Sequence, residues 1–101
     1  MKLITVTELR DRLSKGEKIN LVDVREPSEH NEFNIGGNLI PLGKIQSMEV
    51  DQLEELKQEE LIFYCRSGNR SGQACQILDM LGFTDTKNLQ GGMIAWQQAQ
   101  L

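Results

Sequence analysis

The chain of 101 residues is long enough for one compact domain and too short for two with separate cores. Its composition, 39% hydrophobic and 26% charged, is that of an ordinary globular protein, and a net charge of -4 leaves no basic stripe to neutralise the phosphates of a nucleic acid. No apolar run approaches the roughly 20 residues that cross a bilayer, and the start, "MKLITVTELR", lacks the apolar stretch of an export signal, so a cytoplasmic protein is expected, with neither nucleic acid nor membrane as partner.

In chain order, strand-like and helix-like segments alternate. "LITV" (3–6) reads as a short strand. Thr5 followed by Glu8 makes a capping box, which predicts a helix through "TELRDRLSKG" to Gly16. "INLVDV" (19–24) is an apolar, β-branched run of the kind buried on both faces of a parallel sheet. Pro27 suits the first position of a short helix through "PSEHNEF". "NLIPL" (38–42) reads as a brief strand that Pro41 ends or confines to an edge. "MEVDQLEELKQEE" (48–60) has Val50, Leu53 and Leu56 at helical spacing, with its acidic residues on a solvated face.

The second strongly apolar strand is "ELIFYC" (60–65). Over 70–81, Ala74, Ile77, Leu78 and Leu81 fall at i, i+3, i+4 and i+7, an amphipathic helix ended by Gly82. "TKNL" (86–89) is the last strand and "GGMIAWQQA" opens the final helix. Such alternation predicts a single α/β domain over residues 1–101 with a mainly parallel sheet, in which ligands bind at the carboxyl ends of strands. Cys65 stands at one such end.

The string "YCRSGNRSGQ" (64–73) is therefore the place to look for chemistry. A loop between a strand end and a helix start turns successive N–H groups inward as a nest for an anion, and the helix adds the positive end of its dipole. Gly68 permits a left-handed backbone or a close approach, and Arg66 and Arg70 add full charges. These features favour the thiolate, so Cys65 is expected to ionise below the ordinary thiol value of about 8.5. Ser67, Asn69 and Ser71 read as loop and cap residues whose polar groups also reach a bound anion.

Other readings are weaker. Cys65, Cys75 and His30 offer at most three zinc ligands without a recognisable spacing, so no metal is expected. Cys75, beside the apolar stripe of its helix, reads as an inert packing thiol, and His30 as an exposed residue without a partner. Asp23 and Arg25 follow their strand at the same sheet edge as Cys65 and read as a supporting pair.

Three stretches, "LVDVREPSEHNEFNIGGNLIPL", "LIFYCRSGNRS" and "LGFTDTKNLQGGMIAW", together resemble a single-domain rhodanese over nearly the whole chain. The resemblance implies a five-stranded parallel sheet flanked by helices on both faces. It also implies sulfurtransferase chemistry: Cys65 takes the outer sulfur of thiosulfate, holds it as a persulfide and passes it to a thiol or cyanide, with no metal or organic cofactor. Arg66, Ser67, Gly68, Asn69 and Arg70 then bind the donor, while Ser71, Asp23 and Arg25 support the site. One stretch departs from the family pattern: Asn34 stands where a histidine is usual and Gly36 where a proline is usual. Two alternatives stay open. A sulfur-carrying interaction module, fed by a protein persulfide, needs the same cysteine. A cysteine phosphatase or arsenate reductase uses the same physics, but the phosphatase relatives have a loop one residue longer than the four residues between Cys65 and Arg70.

Overall fold

The structure is a computed structural model and describes residues 1–99. Among these, five strands form one all-parallel sheet in the order β1-β5-β4-β2-β3: β1 Lys2–Ile4, β2 Leu21–Asp23, β3 Asn38–Leu39, β4 Glu60–Tyr64 and β5 Asp85–Leu89. Parallel neighbours need a crossover, and the helices supply it: α1 Val6–Ser14, α2 Pro27–Glu32, α3 Leu42–Gln46, α4 Asn69–Met80 and α5 Gly92–Ala99.

The apolar run of β4 explains its central place. Leu61 and Phe63 point into one core with Ala74, Cys75 and Leu78 of α4 and Ile45 of α3. Ile62 and Tyr64 point into the other with Leu9 of α1 and Met93 of α5. Helices thus cover both faces, as expected. Thr5 caps α1 with its side chain on the Glu8 N–H while Glu8 returns to the Thr5 N–H, and Pro27 opens α2.

Two elements differ from the sequence reading. The strand expected over 38–42 stops at Leu39, and Leu42 opens the short helix α3 instead, because Pro41 stands at its N-cap. The segment with Val50, Leu53 and Leu56 is a 3-10 helix, Asp51–Leu56. Its apolar residues recur every third position, which is the period of that helix, so Val50 and Leu53 reach the core together.

Strand order also locates the site. From β2 the chain crosses outward to β3, and from β4 it crosses the opposite way to β5. The crevice outside the carboxyl ends of β2 and β4 is therefore a topological switch point, where α/β sheets bind ligands. Arg25 and Cys65 emerge on its two sides. No helix of the described residues is long and apolar enough to cross a membrane.

Candidate active site

Between the end of β4 at Tyr64 and the start of α4 at Asn69, residues 65–68 make a tight turn. Gly68 closes it at the N-cap of α4 with φ 103°, a conformation that a side chain would strain. Cys65 lies at the floor, 1% exposed. Its Sγ accepts the Gly68 N–H at 3.0 Å, and the Ser71 hydroxyl stands 3.4 Å away.

The turn is held from behind. The Met93 N–H donates to the Cys65 carbonyl at 2.9 Å, and the Ile94 N–H to the Arg66 carbonyl at 3.0 Å. In a trans peptide the next N–H points opposite to the carbonyl, so the amides of Arg66 and Ser67 turn away from α5. The Ser67 N–H accordingly faces the sulfur. Gly92 makes this contact possible: a Cβ there would meet the Cys65 carbonyl oxygen at 2.4 Å.

Burial pushes the Cys65 thiol up, but the groups that face it outweigh burial: the Ser71 hydroxyl where its one proton points to the sulfur, and the N–H groups of Ser71, Gly68 and Ser67. Its pKa is lowered, as expected, through hydrogen-bond donors of the loop and helix start rather than through the arginines. Arg70 does not reserve its charge for the sulfur. Its guanidinium grips the Glu29 carboxylate of α2 with two bonds, 2.7 and 2.9 Å, and holds Glu29 down to about 2. Arg66 is exposed and faces a cavity of about 310 Å³ that Arg25, Glu29, Phe33 and Ile94 also line. Ser67 and Asn69 are exposed on the same loop.

Asp23 and Arg25 form a buried pair. The Arg25 backbone N–H and Nε donate to Asp23 Oδ1 at 3.0 and 2.9 Å, and Nη2 donates to Oδ2 at 2.8 Å and to the Phe33 carbonyl at 2.5 Å. Burial opposes the charge on Asp23, and the bonds from Arg25 and His30 outweigh it, so its pKa is lowered. His30 corrects the sequence reading. It is half-buried, with Nδ1 2.8 Å from Asp23 Oδ2, and since an ionised carboxylate only accepts, Nδ1 carries the proton. Tyr64 secures the departing stretch by donating to the Gly36 carbonyl at 2.8 Å.

Cys75 is fully buried in the α4 face of the core, and burial pushes its thiol up to about 12. Among the described residues, no group of three or more His, Cys, Asp or Glu side chains is arranged to hold a metal ion. Sequence reasoning missed Asn88, whose Nδ2 donates to the Gly68 carbonyl at 3.0 Å and whose Oδ1 lies 2.5 Å from the Ser71 hydroxyl. Its signal was a strand-averse amide inside a buried strand. It also missed Glu29, which no local pattern ties to an arginine 41 positions away.

Comparison with known proteins finds relatives over nearly the whole chain. The chain is 43% identical over 95 residues to the probable adenylyltransferase/sulfurtransferase MoeZ of Mycobacterium tuberculosis, covering 92% of this chain but only 24% of that protein. It is 38% identical over 99 residues to the putative sulfurtransferase YtwF of Bacillus subtilis, covering 96% of this chain and 91% of that one. The crystal structure of a rhodanese-like domain protein from Staphylococcus aureus superposes with a TM-score of 0.80 at 34% identity, over 95% of this chain and 91% of the other. The profile of the family described as Rhodanese-like domain matches residues 5–99, and on that match this chain belongs to the rhodanese-like domain family.

Proposed function

We propose that this chain is a sulfurtransferase in which Cys65 carries sulfane sulfur from thiosulfate, or from another persulfide donor, to a thiol or cyanide. The observation that carries the reading is the Cys65 sulfur itself, facing the N–H groups of Ser67, Gly68 and Ser71 at the start of α4. Those donors favour the thiolate, which attacks the outer sulfur of thiosulfate. The sulfur–sulfur bond breaks, sulfite leaves with its electron pair, and Cys65 becomes a persulfide. An acceptor then takes the outer sulfur, cyanide giving thiocyanate, and the thiolate returns.

Each neighbour has a part in this scheme. The N–H groups of the loop stabilise the thiolate and then the persulfide. Arg66, facing the open cavity, holds the anionic oxygens of the donor, with Ser67 and Asn69 beside it. Arg70, tied to Glu29, fixes the rim of the loop and adds attraction from behind the sulfur. Asp23 and Arg25 stiffen the facing wall. No metal or organic cofactor enters any step. The four-residue interval between Cys65 and Arg70 and the near-complete burial of the sulfur suit a slim terminal sulfur atom better than a tetrahedral phosphate.

The test is intact-protein mass spectrometry after incubation with thiosulfate, on the wild type and on Cys65→Ser. Gain of one sulfur in the wild type, absent from the variant and removed by cyanide, is the expected result. A second reading has support from the rim of the cavity, where Phe33 and Ile94 leave 38% and 40% of their surface exposed beside the loop. Apolar groups there suit a protein surface, so the donor would be a protein persulfide. Loading by a cysteine desulfurase persulfide but not by thiosulfate is its expected outcome.

A further inference from the structure

Ser71 has one hydroxyl proton and two neighbours that would take it. Its Oγ lies 2.5 Å from Asn88 Oδ1 and 3.4 Å from Cys65 Sγ. Asn88 cannot turn its amide to offer a donor instead, because its Nδ2 already donates to the Gly68 carbonyl at 3.0 Å. Oδ1 is therefore an acceptor, and two oxygens at 2.5 Å must have a proton between them. The 3.4 Å from Oγ to Sγ is also within hydrogen-bond reach of a sulfur, so the two acceptors compete for one proton, and Asn88 Oδ1 holds the far shorter contact.

We propose that Asn88 is a positioning residue that claims the Ser71 hydroxyl proton and so withholds it from the Cys65 sulfur. The consequence rests on the reading of Cys65 as the sulfur-carrying nucleophile. With the hydroxyl turned to Asn88, Ser71 presents lone pairs to the sulfur, and the thiolate depends on backbone N–H groups alone. A thiolate with fewer donors is less stabilised and more nucleophilic, because nucleophilicity falls as thiol pKa falls. The same amide that clamps the left-handed Gly68 thus also sets how strongly the sulfur is solvated by the protein. All the atoms involved are buried or half-buried, so water does not replace the missing donor.

The charged and titratable groups around the sulfur are known. They are Arg66 and Arg70 after it in the chain, Glu29 on α2 bound to Arg70, Asp23 and Arg25 at the end of β2, and the neutral Cys75 of α4. On β5, Lys87 is committed to Glu60 and Asp85 at the start of the strand. None of these is altered by exchanging Ser71 or Asn88.

The experiment is a thiolate titration, followed by ultraviolet absorbance, of the wild type, Ser71→Ala, Asn88→Ala and the double variant. Cys75, at about 12, titrates outside the window. The expected result is that Ser71→Ala leaves the Cys65 pKa unchanged in the wild type. In the Asn88→Ala background, where the hydroxyl is released to the sulfur, it raises that pKa by about one unit, the size of a hydrogen bond to a charged group. Loss of the Gly68 clamp is common to both Asn88→Ala proteins and cancels. An equal rise in both backgrounds, or no rise in either, overturns the proposal. If Asn88→Ala does not fold, a rise of about one unit on Ser71→Ala alone still overturns it, and an unchanged value supports it. The titration uses no sulfur donor, so its outcome is independent of whether thiosulfate loads Cys65.

Discussion

Gly92 and Cys65 are 27 positions apart in sequence and touch through their backbones: a Cβ on Gly92 would stand 2.4 Å from the Cys65 carbonyl oxygen and 2.7 Å from that of Arg66. Neither oxygen belongs to a side chain that could swing aside. Gly92→Ala must therefore push α5 away from the reactive loop, breaking the bonds from Met93 and Ile94. The expected loss is about 1–3 kcal/mol of stability, with a larger proportional loss of thiosulfate loading. Gly43 is the control, since a Cβ there meets nothing within 4 Å, and Gly43→Ala in α3 should stabilise by up to about 1 kcal/mol. Urea unfolding of both variants checks the contrast.

Glu29 restrains Arg70. Glu29→Gln removes the charge from the carboxylate and leaves the Arg70 guanidinium free to act on the sulfur. The Cys65 pKa should fall further, and alkylation by iodoacetamide should extend to lower pH than in the wild type. Stability should change by no more than about 1 kcal/mol, because the pair is partly exposed. An unmoved alkylation profile would mean that Arg70 has no electrostatic hold on the thiol.

Acid should weaken the fold in a defined window. Arg70 holds Glu29 down to about 2, and Arg12 with Lys87 holds Glu60 down to about 2, both from an ordinary 4.5. The unfolded chain binds protons at these sites that the folded chain does not, so stability rises with pH across the interval. Their contribution is complete above about 4.5 and disappears as pH falls through about 2. Glu29→Gln with Glu60→Gln should flatten the dependence of unfolding free energy on pH between those limits.

Asp23→Ala should harm folding more than chemistry. It strands the Arg25 guanidinium, 5% exposed, and leaves the His30 Nδ1–H without its acceptor. Breaking a buried pair by removing one partner costs about 3–5 kcal/mol. Urea unfolding should register that loss, while thiosulfate loading of the fraction that remains folded should persist. Loss of loading with unchanged stability would place Asp23 in the reaction rather than beneath it.

What could be read from the sequence followed from local rules. The apolar runs 19–24 and 60–65, the Thr5–Glu8 box and the stripe Ala74, Leu78 report short-range physics, so their strands and helices were legible. Cys65 at a strand end beside Gly68 was legible for the same reason. The partnerships were not. Arg70 finds Glu29 and Asn88 finds Ser71 only after the sheet brings distant segments to one edge, and His30 finds Asp23 only because α2 turns back over the end of β2. A charge count near the cysteine therefore credited Arg70 with a task that Glu29 largely takes from it. Helix α3 escaped because Pro41 marks a strand end and a helix start with the same residue.

The order of the sheet has a consequence for how the reactive centre comes into being. Strand β5, the last in sequence, lies between β1 and β4, and α5 follows it to grasp the Cys65 and Arg66 carbonyls. A chain still emerging from the ribosome holds Cys65 long before it holds residue 94. Until then β1 has no neighbour in the sheet, β4 keeps a bare edge, and the Cys65 and Arg66 carbonyls lack the N–H groups of α5. The backing of the Cys65 loop thus comes from the later part of the chain, and the loop gains it only when β5 fills the gap between β1 and β4 and α5 follows.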